Sequence, residues 1–149
     1  MRKHLIDTDL YIDLIRTRGS HLIIQEIYEK ETPGIYFSSI VAQELLSGAL
    51  SFSGKKLVHK IMYPFEQARR IVTPTHKVWK EAGNVLARIF RKHPEYKSKL
   101  PGLVNDTLLA ASARSIGATL YTRNRQDFMT IYSITPFSLV VIHGYDRNP

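Results

Sequence analysis

The chain has 149 residues, 44% of them hydrophobic, which suits one ordinary domain spanning 1–149 and would be cramped for two. It has no cysteine, so disulfides, thiolate zinc sites and cysteine nucleophiles are excluded and a reducing cytosol is the expected setting. With 21 Lys and Arg against 13 Asp and Glu, the formal net charge of +8 predicts a partner rich in negative charge, nucleic acid first.

Met1-Arg2-Lys3-His4 leads only to Leu5-Ile6 before Asp7, too short for a signal-peptide apolar region. No stretch approaches the roughly 20 apolar residues of a membrane span, so a cytoplasmic chain without a membrane anchor is expected. His4-Leu5-Ile6 reads as a buried strand closing on Asp7, and Leu10, Leu14 and Ile15 follow at helical spacing. Leu22, Ile23, Ile27 and Tyr28 predict a second helix, stopped by Pro33-Gly34 before a strand at Ile35-Tyr36-Phe37. Ser38 and Ser39 offer an N-cap for a helix from Ile40 to Leu50.

From about Gly54 to His93 the chain reads as mostly helical, with Ile71-Val72 as a short strand and Thr75 as a new N-cap. Gly102 is expected to precede a helix from Val104 to about Ile116, ended by Gly117. Thr119-Leu120-Tyr121-Thr122 is a predicted strand, Arg123 to Phe128 a polar turn, and Leu139-Val140-Val141-Ile142 a last strand. Strands alternating with helices predict an α/β fold, a mainly parallel central sheet flanked by helices.

In such a sheet the functional crevice lies beyond the carboxyl ends of the strands. Asp7 follows the first strand, and Asn124 and Asp127 lie in the turn after Thr122. Helix capping is the plain alternative for Asp7 and for Asp9, while Asp13 reads as a solvated helix residue. Glu44 has Ile40, Val41 and Gly48 three and four residues away, and Asp106 has Leu109, Ala110 and Ala113, so each carboxylate stands beside an apolar or small-residue stripe.

A carboxylate there needs a compensating cation or hydrogen bonds. An ion pair with Lys or Arg is the alternative for Glu44, and capping for Asp106. Asp7, Glu44, Asp106 and one of Asn124 or Asp127 come from four segments whose ends are predicted to converge over the sheet. Carboxylates without histidine or thiolate suit Mg²⁺ or Mn²⁺, a combination fit for phosphodiester hydrolysis.

With these residues in place, the sequence resembles the PIN-domain ribonucleases, in particular the toxins of VapBC-type toxin-antitoxin modules, over nearly the whole chain. "LIDTDLYIDLI" looks like the family's opening strand with its first acid, Asp7, and "FSSIVAQELLSGA" like its second, with Ser39 and Glu44. "NDTLLAASARSIGATLYTRNRQDF" looks like the remaining core, with Asp106 as third acid and a Thr-Arg-Asn turn before Asp127-Phe128. The family often has Asn at the place of Asp9 and an acid at the place of Asn124.

The fourth ligand is therefore either Asp127, or Asn124 acting through metal-bound water. The resemblance further implies that Thr122 orients an acid or water and that Thr8 sits beside Asp7. It also implies a PIN-like fold, RNA as substrate, a homodimer, and a cognate antitoxin whose tail occupies the groove by the acids.

The competing class is a non-catalytic basic nucleic-acid-binding or assembly module, which would need no metal. Gly19, Gly34, Gly54 and Gly102 stand apart without a Gly-x-x-x-x-Gly-Lys loop, and no His-Glu-x-x-His pair exists, which disfavours an NTPase and a zinc hydrolase. Trp79 reads as core or interface, and Tyr96 as a loop residue rather than a base-stacking platform. The basic stretch from Arg88 to Lys99 is expected to contribute phosphate contacts.

Overall fold

Five short apolar runs line up as a parallel sheet in a computed structural model that describes residues 1–16 and 32–143. They are β1 (Lys3–Ile6), β2 (Ile35–Ser38), β3 (Ile71–Val72), β4 (Ala118–Thr122) and β5 (Leu139–Val141), in the order β3-β2-β1-β4-β5. Every adjacent pair is parallel, which sharpens the expected mainly parallel sheet. Central strand β1 sets Leu5 opposite Leu120 and Ile6 opposite Tyr121. Leu5, Ile6, Ile35, Phe37 and Leu120 are buried, as both faces of a parallel sheet require.

Six helices connect these strands among the described residues: α1 (Thr8–Arg16), α2 (Ser39–Gly48), α3 (Phe52–Gln67), α4 (His76–Lys92), α5 (Leu100–Ile116) and α6 (Arg125–Ile134). Helix α2 packs on α1 and α3, while α4, α5 and α6 pack on one another. Right-handed crossovers in this strand order put the first set over one sheet face and the second over the other. The predicted helical stripe through Leu22, Ile23, Ile27 and Tyr28 lies outside the described residues.

Local signals explain most boundaries. The Ser38 side chain accepts from the Ile40 N–H at 3.1 Å, and Thr75 accepts from Val78 at 3.2 Å, each satisfying a donor that the first helical turn leaves open. Val78, Ala82, Val85 and Ile89 form the buried stripe of α4, at spacings of four and three. Gly117 ends α5 at φ 68°, a left-handed value that glycine adopts without a Cβ clash. At Gly34 an added Cβ would lie 2.2 Å from the Arg2 carbonyl oxygen, so the entry to β2 can pass the start of β1 only with glycine there.

Two expectations are corrected. Helix α5 begins at Leu100, so Gly102 lies inside it; Pro101 in the first turn has no N–H to waste and a φ already set for a helix. The polar turn after β4 is shorter than expected, because α6 starts at Arg125 and buries Phe128, Ile131 and Ile134. Those three recur every third residue, a helical signal masked by the polar Arg123-Asn124-Arg125-Gln126-Asp127 run before them. Trp79 is 54% exposed, so it is not a core residue.

Candidate functional site

The strand order turns back at β1. Crossovers run from β1 outward to β3, then return to β4 and β5 on its other side. In an open parallel sheet this reversal leaves a crevice outside the carboxyl ends of the two central strands. Here those ends deliver Asp7, directly after β1, and Thr122, the last residue of β4.

Asp7 is 5% exposed. Its N–H donates to the Tyr121 carbonyl at 2.9 Å, and its own carbonyl accepts from Leu10 at 3.2 Å, so its backbone leads into α1. The carboxylate is engaged separately. Oδ1 accepts from the Thr8 N–H at 2.7 Å, and Oδ2 accepts from the fully buried Thr122 hydroxyl at 2.7 Å. Burial, reinforced by the charge of Asp9, pushes the Asp7 carboxyl up to about 7, against the opposing hydrogen bonds from Thr122 and Thr8.

Thr8 does more than sit beside Asp7. Its hydroxyl donates to Glu44 Oε1 at 2.8 Å, tying the first residue of α1 to α2. Among the described residues no Lys or Arg pairs with Glu44, so its place is fixed by a neutral donor. Ser39, the other residue of that motif, meets Thr73 at 2.7 Å and makes no contact with the acids.

Asp106 lies well inside α5, which removes helix capping as its explanation. Burial pushes it up to about 8, and the charges of Asp7, Asp127, Glu44 and Asp9 add to the shift. Asn124 caps α6, its Oδ1 accepting from the Asp127 N–H at 3.3 Å. Its amide nitrogen donates to Asp127 Oδ2 at 3.0 Å and to Asp106 Oδ2 at 3.3 Å, an uncharged bridge between two acids. Both candidates for the fourth position, Asn124 and Asp127, therefore stand in the crevice.

Asp9 and Asp13 depart from expectation. Asp9 Oδ2 accepts from the Arg123 N–H at 3.0 Å and lies 3.4 Å from the Thr122 hydroxyl, so it links α1 to the turn after β4 instead of capping its helix. Burial also raises its pKa, against hydrogen bonds from Arg123, Leu10 and Thr122. Asp13 is half-buried in an ion pair with Arg123, not solvated. The Asp9–Asp13 spacing of one helical turn was the available signal for a shared partner. Tyr96 is held by Thr130 at 3.0 Å between hydroxyls, with Lys99 over its ring, a structural setting for that side chain.

The donors fit a hard divalent ion by their chemistry. They are carboxylate oxygens that repel one another, and the buried Oδ1 atoms of Asp9 and Asp127 have no hydrogen-bond partner among the described residues. Among the described residues no group of three or more His, Asp or Glu side chains is placed to hold a metal ion. Beside Glu44 an apolar groove of about 330 Å³ runs along α1, α2 and α3, past Ile12, Ile15, Leu45, Leu50 and Val58. No described helix is long and apolar enough to cross a membrane.

Comparison with known proteins agrees with this fold. The chain is similar in structure to DNA-bound VapBC from Salmonella typhimurium, with a TM-score of 0.69 and 22% identity, over 95% of this chain and 98% of that one. It is also similar to VapBC-1 from nontypeable Haemophilus influenzae, with a TM-score of 0.61 and 21% identity over 93% and 96% of the two chains. For a toxin-antitoxin complex from Klebsiella pneumoniae the values are 0.55 and 25%, over 91% and 99%. No curated protein matches the sequence. The family model for the PIN domain matches residues 4–132, a span that holds every acid of the crevice, and the chain belongs to the PIN domain family.

Proposed function

We propose that this chain is a Mg²⁺- or Mn²⁺-dependent endoribonuclease and the toxin of a type II toxin-antitoxin pair. The observation that supports the reading is the gathering of Asp7, Glu44, Asp106 and Asp127 at the switch point of the sheet, where burial first, and then the charges of Asp7, Asp127, Glu44 and Asp9, raise Asp106. PIN domains are typically nucleases, which supports hydrolysis as the reaction class.

In this reading Asp7, Glu44, Asp106 and Asp127 hold the ion, which when bound supplies a water of lowered pKa and offsets charge on the phosphoryl oxygens. Thr122 holds Asp7 by one oxygen and the Thr8 N–H by the other, which fixes the carboxylate plane. The Thr8 hydroxyl orients Glu44. Asn124 spaces Asp106 from Asp127 without adding charge. Outside the crevice, the exposed Arg88, Arg91, Lys92, Lys97 and Lys99 give an RNA backbone cations to meet.

The likeness to VapBC complexes supports a cognate antitoxin as partner; an arginine-bearing tail would suit the carboxylate cluster, and a second copy in a homodimer is part of the same proposal. The setting is the cytosol. Incubation with labelled RNA in Mg²⁺, in Mn²⁺ and in chelator tests the central claim. Internal cleavage that needs the ion and disappears in Asp106→Asn is expected; RNA binding without metal-dependent cleavage would instead identify a basic binding module.

A further inference from the structure

The sequence marked Asp13 as a solvated residue and Arg123 as part of a polar turn, yet the two meet in a half-buried ion pair, at 21% and 27% side-chain exposure. Arg123 engages α1 twice. Its guanidinium reaches Asp13, and its backbone N–H donates to Asp9 at 3.0 Å, one helical turn nearer the crevice. The residues on either side of Arg123 are Thr122, which donates to Asp7 at 2.7 Å, and Asn124, which bridges Asp106 and Asp127. Asn124 also donates its N–H to the Thr122 hydroxyl at 3.0 Å, so that oxygen is fixed from both sides.

We propose that Arg123 is a positioning residue for the acid crevice: by holding Asp13 and Asp9 it fastens the β4–α6 turn to α1 and so sets Thr122 on Asp7 and Asn124 between Asp106 and Asp127. Two attachment points one turn apart fix the turn in orientation as well as in distance. Lysine keeps the charge but not the fork-shaped donor group that spans from the turn to Asp13.

The inference rests on the metal-dependent reading of the crevice, and its test separates the two. Mn²⁺ affinity is measured by calorimetry, and cleavage of labelled RNA by kcat and KM, for the parent, Arg123→Gln, Arg123→Lys, Asp13→Asn and the Gln/Asn double variant. Loss of an outer residue that orients metal ligands typically costs about 10- to 100-fold in metal affinity or activity. Arg123→Gln is expected to weaken Mn²⁺ binding and lower kcat in about that range while changing KM for RNA less than about threefold, with Arg123→Lys intermediate. The double variant should lose clearly less than the two single effects combined, because both changes break the Arg123–Asp13 link.

Asp13→Asn removes the charge that holds the Arg123 guanidinium and gives a second reading should Arg123→Gln fail to fold. Parental Mn²⁺ affinity in folded Arg123→Gln or in folded Asp13→Asn overturns the clamp. So does a raised KM with a shallower salt dependence and unchanged Mn²⁺ binding, which would make Arg123 a phosphate contact. A parent that binds Mn²⁺ but cleaves no RNA would sink the nuclease reading, and the Mn²⁺ affinities would still judge the clamp.

Discussion

The acids of the crevice are unequal, and their partners rank them. Asp7 and Asp106 carry the large upward shifts, so replacing either removes a charge that burial first, and then the neighbouring acids, oppose. Asp7→Asn and Asp106→Asn should each lower RNA cleavage by orders of magnitude. Asp9→Asn should be mild, since an amide oxygen can still accept the Arg123 N–H; single-turnover rates with Mn²⁺ check the order, and an Asp9→Asn loss equal to that of Asp7→Asn would reverse it. Thr122 is a separate case. Its hydroxyl is fully buried and donates to Asp7, so Thr122→Val keeps the shape and leaves a buried carboxylate oxygen without its donor. An unmet buried acceptor costs about 1–3 kcal/mol, and chelated Thr122→Val should lose stability of that order in denaturant unfolding at pH 8.

At the scale of elements, what the sequence discloses depends on whether a local signal sets the boundary. Ser38, Thr75 and Gly117 mark helix ends by their own side chain or lack of one, and the expected starts and stop stand there within a residue. The strands through Leu5, Phe37 and Leu120 were legible because a parallel sheet buries both faces. Helix α6 was not, because its first turn is polar and only its later residues reach the core. For the crevice, residue types and strand ends pointed to Asp7, Glu44 and Asp106, but the Arg123–Asp13 pair joins positions 110 apart, and its one local trace is the one-turn spacing of Asp9 and Asp13. Gly83 offers a test of local propensity: it lies mid-way along α4, exposed, with nothing within 4 Å of where a Cβ would stand. Gly83→Ala should stabilise the chain by about 0.5–1 kcal/mol, read from the urea midpoint at unchanged slope.

The molecule as a whole should report the strain of the crevice through its response to pH. Asp7 and Asp106 rise from the ordinary 3.8 to about 7 and about 8 in the folded chain. Between roughly pH 4 and pH 8 the folded state therefore holds protons that the unfolded state has released. Stability falls with pH wherever the native state binds more protons, so the contribution of these two groups is full below about pH 4 and is lost as pH rises through their folded values. The usual paired aspartate acts in the opposite sense. A divalent ion displaces those protons, so its binding strengthens as pH rises and it stabilises most where the empty crevice is weakest. In chelator, Tm should fall from about pH 5.5 to about pH 8.5, and saturating Mn²⁺ should remove most of that fall. Asp106→Asn in chelator should show a shallower fall than the parent and melt at or above it near pH 8, while losing most of the Mn²⁺ gain. The comparison with Asp106→Asn isolates the crevice from the rest of the chain, which is the same in both proteins. A chelated parent whose Tm is flat or rises over this interval, or an Asp106→Asn chain that is destabilised yet keeps the full Mn²⁺ shift, would show that Asp106 is an ordinary structural acid.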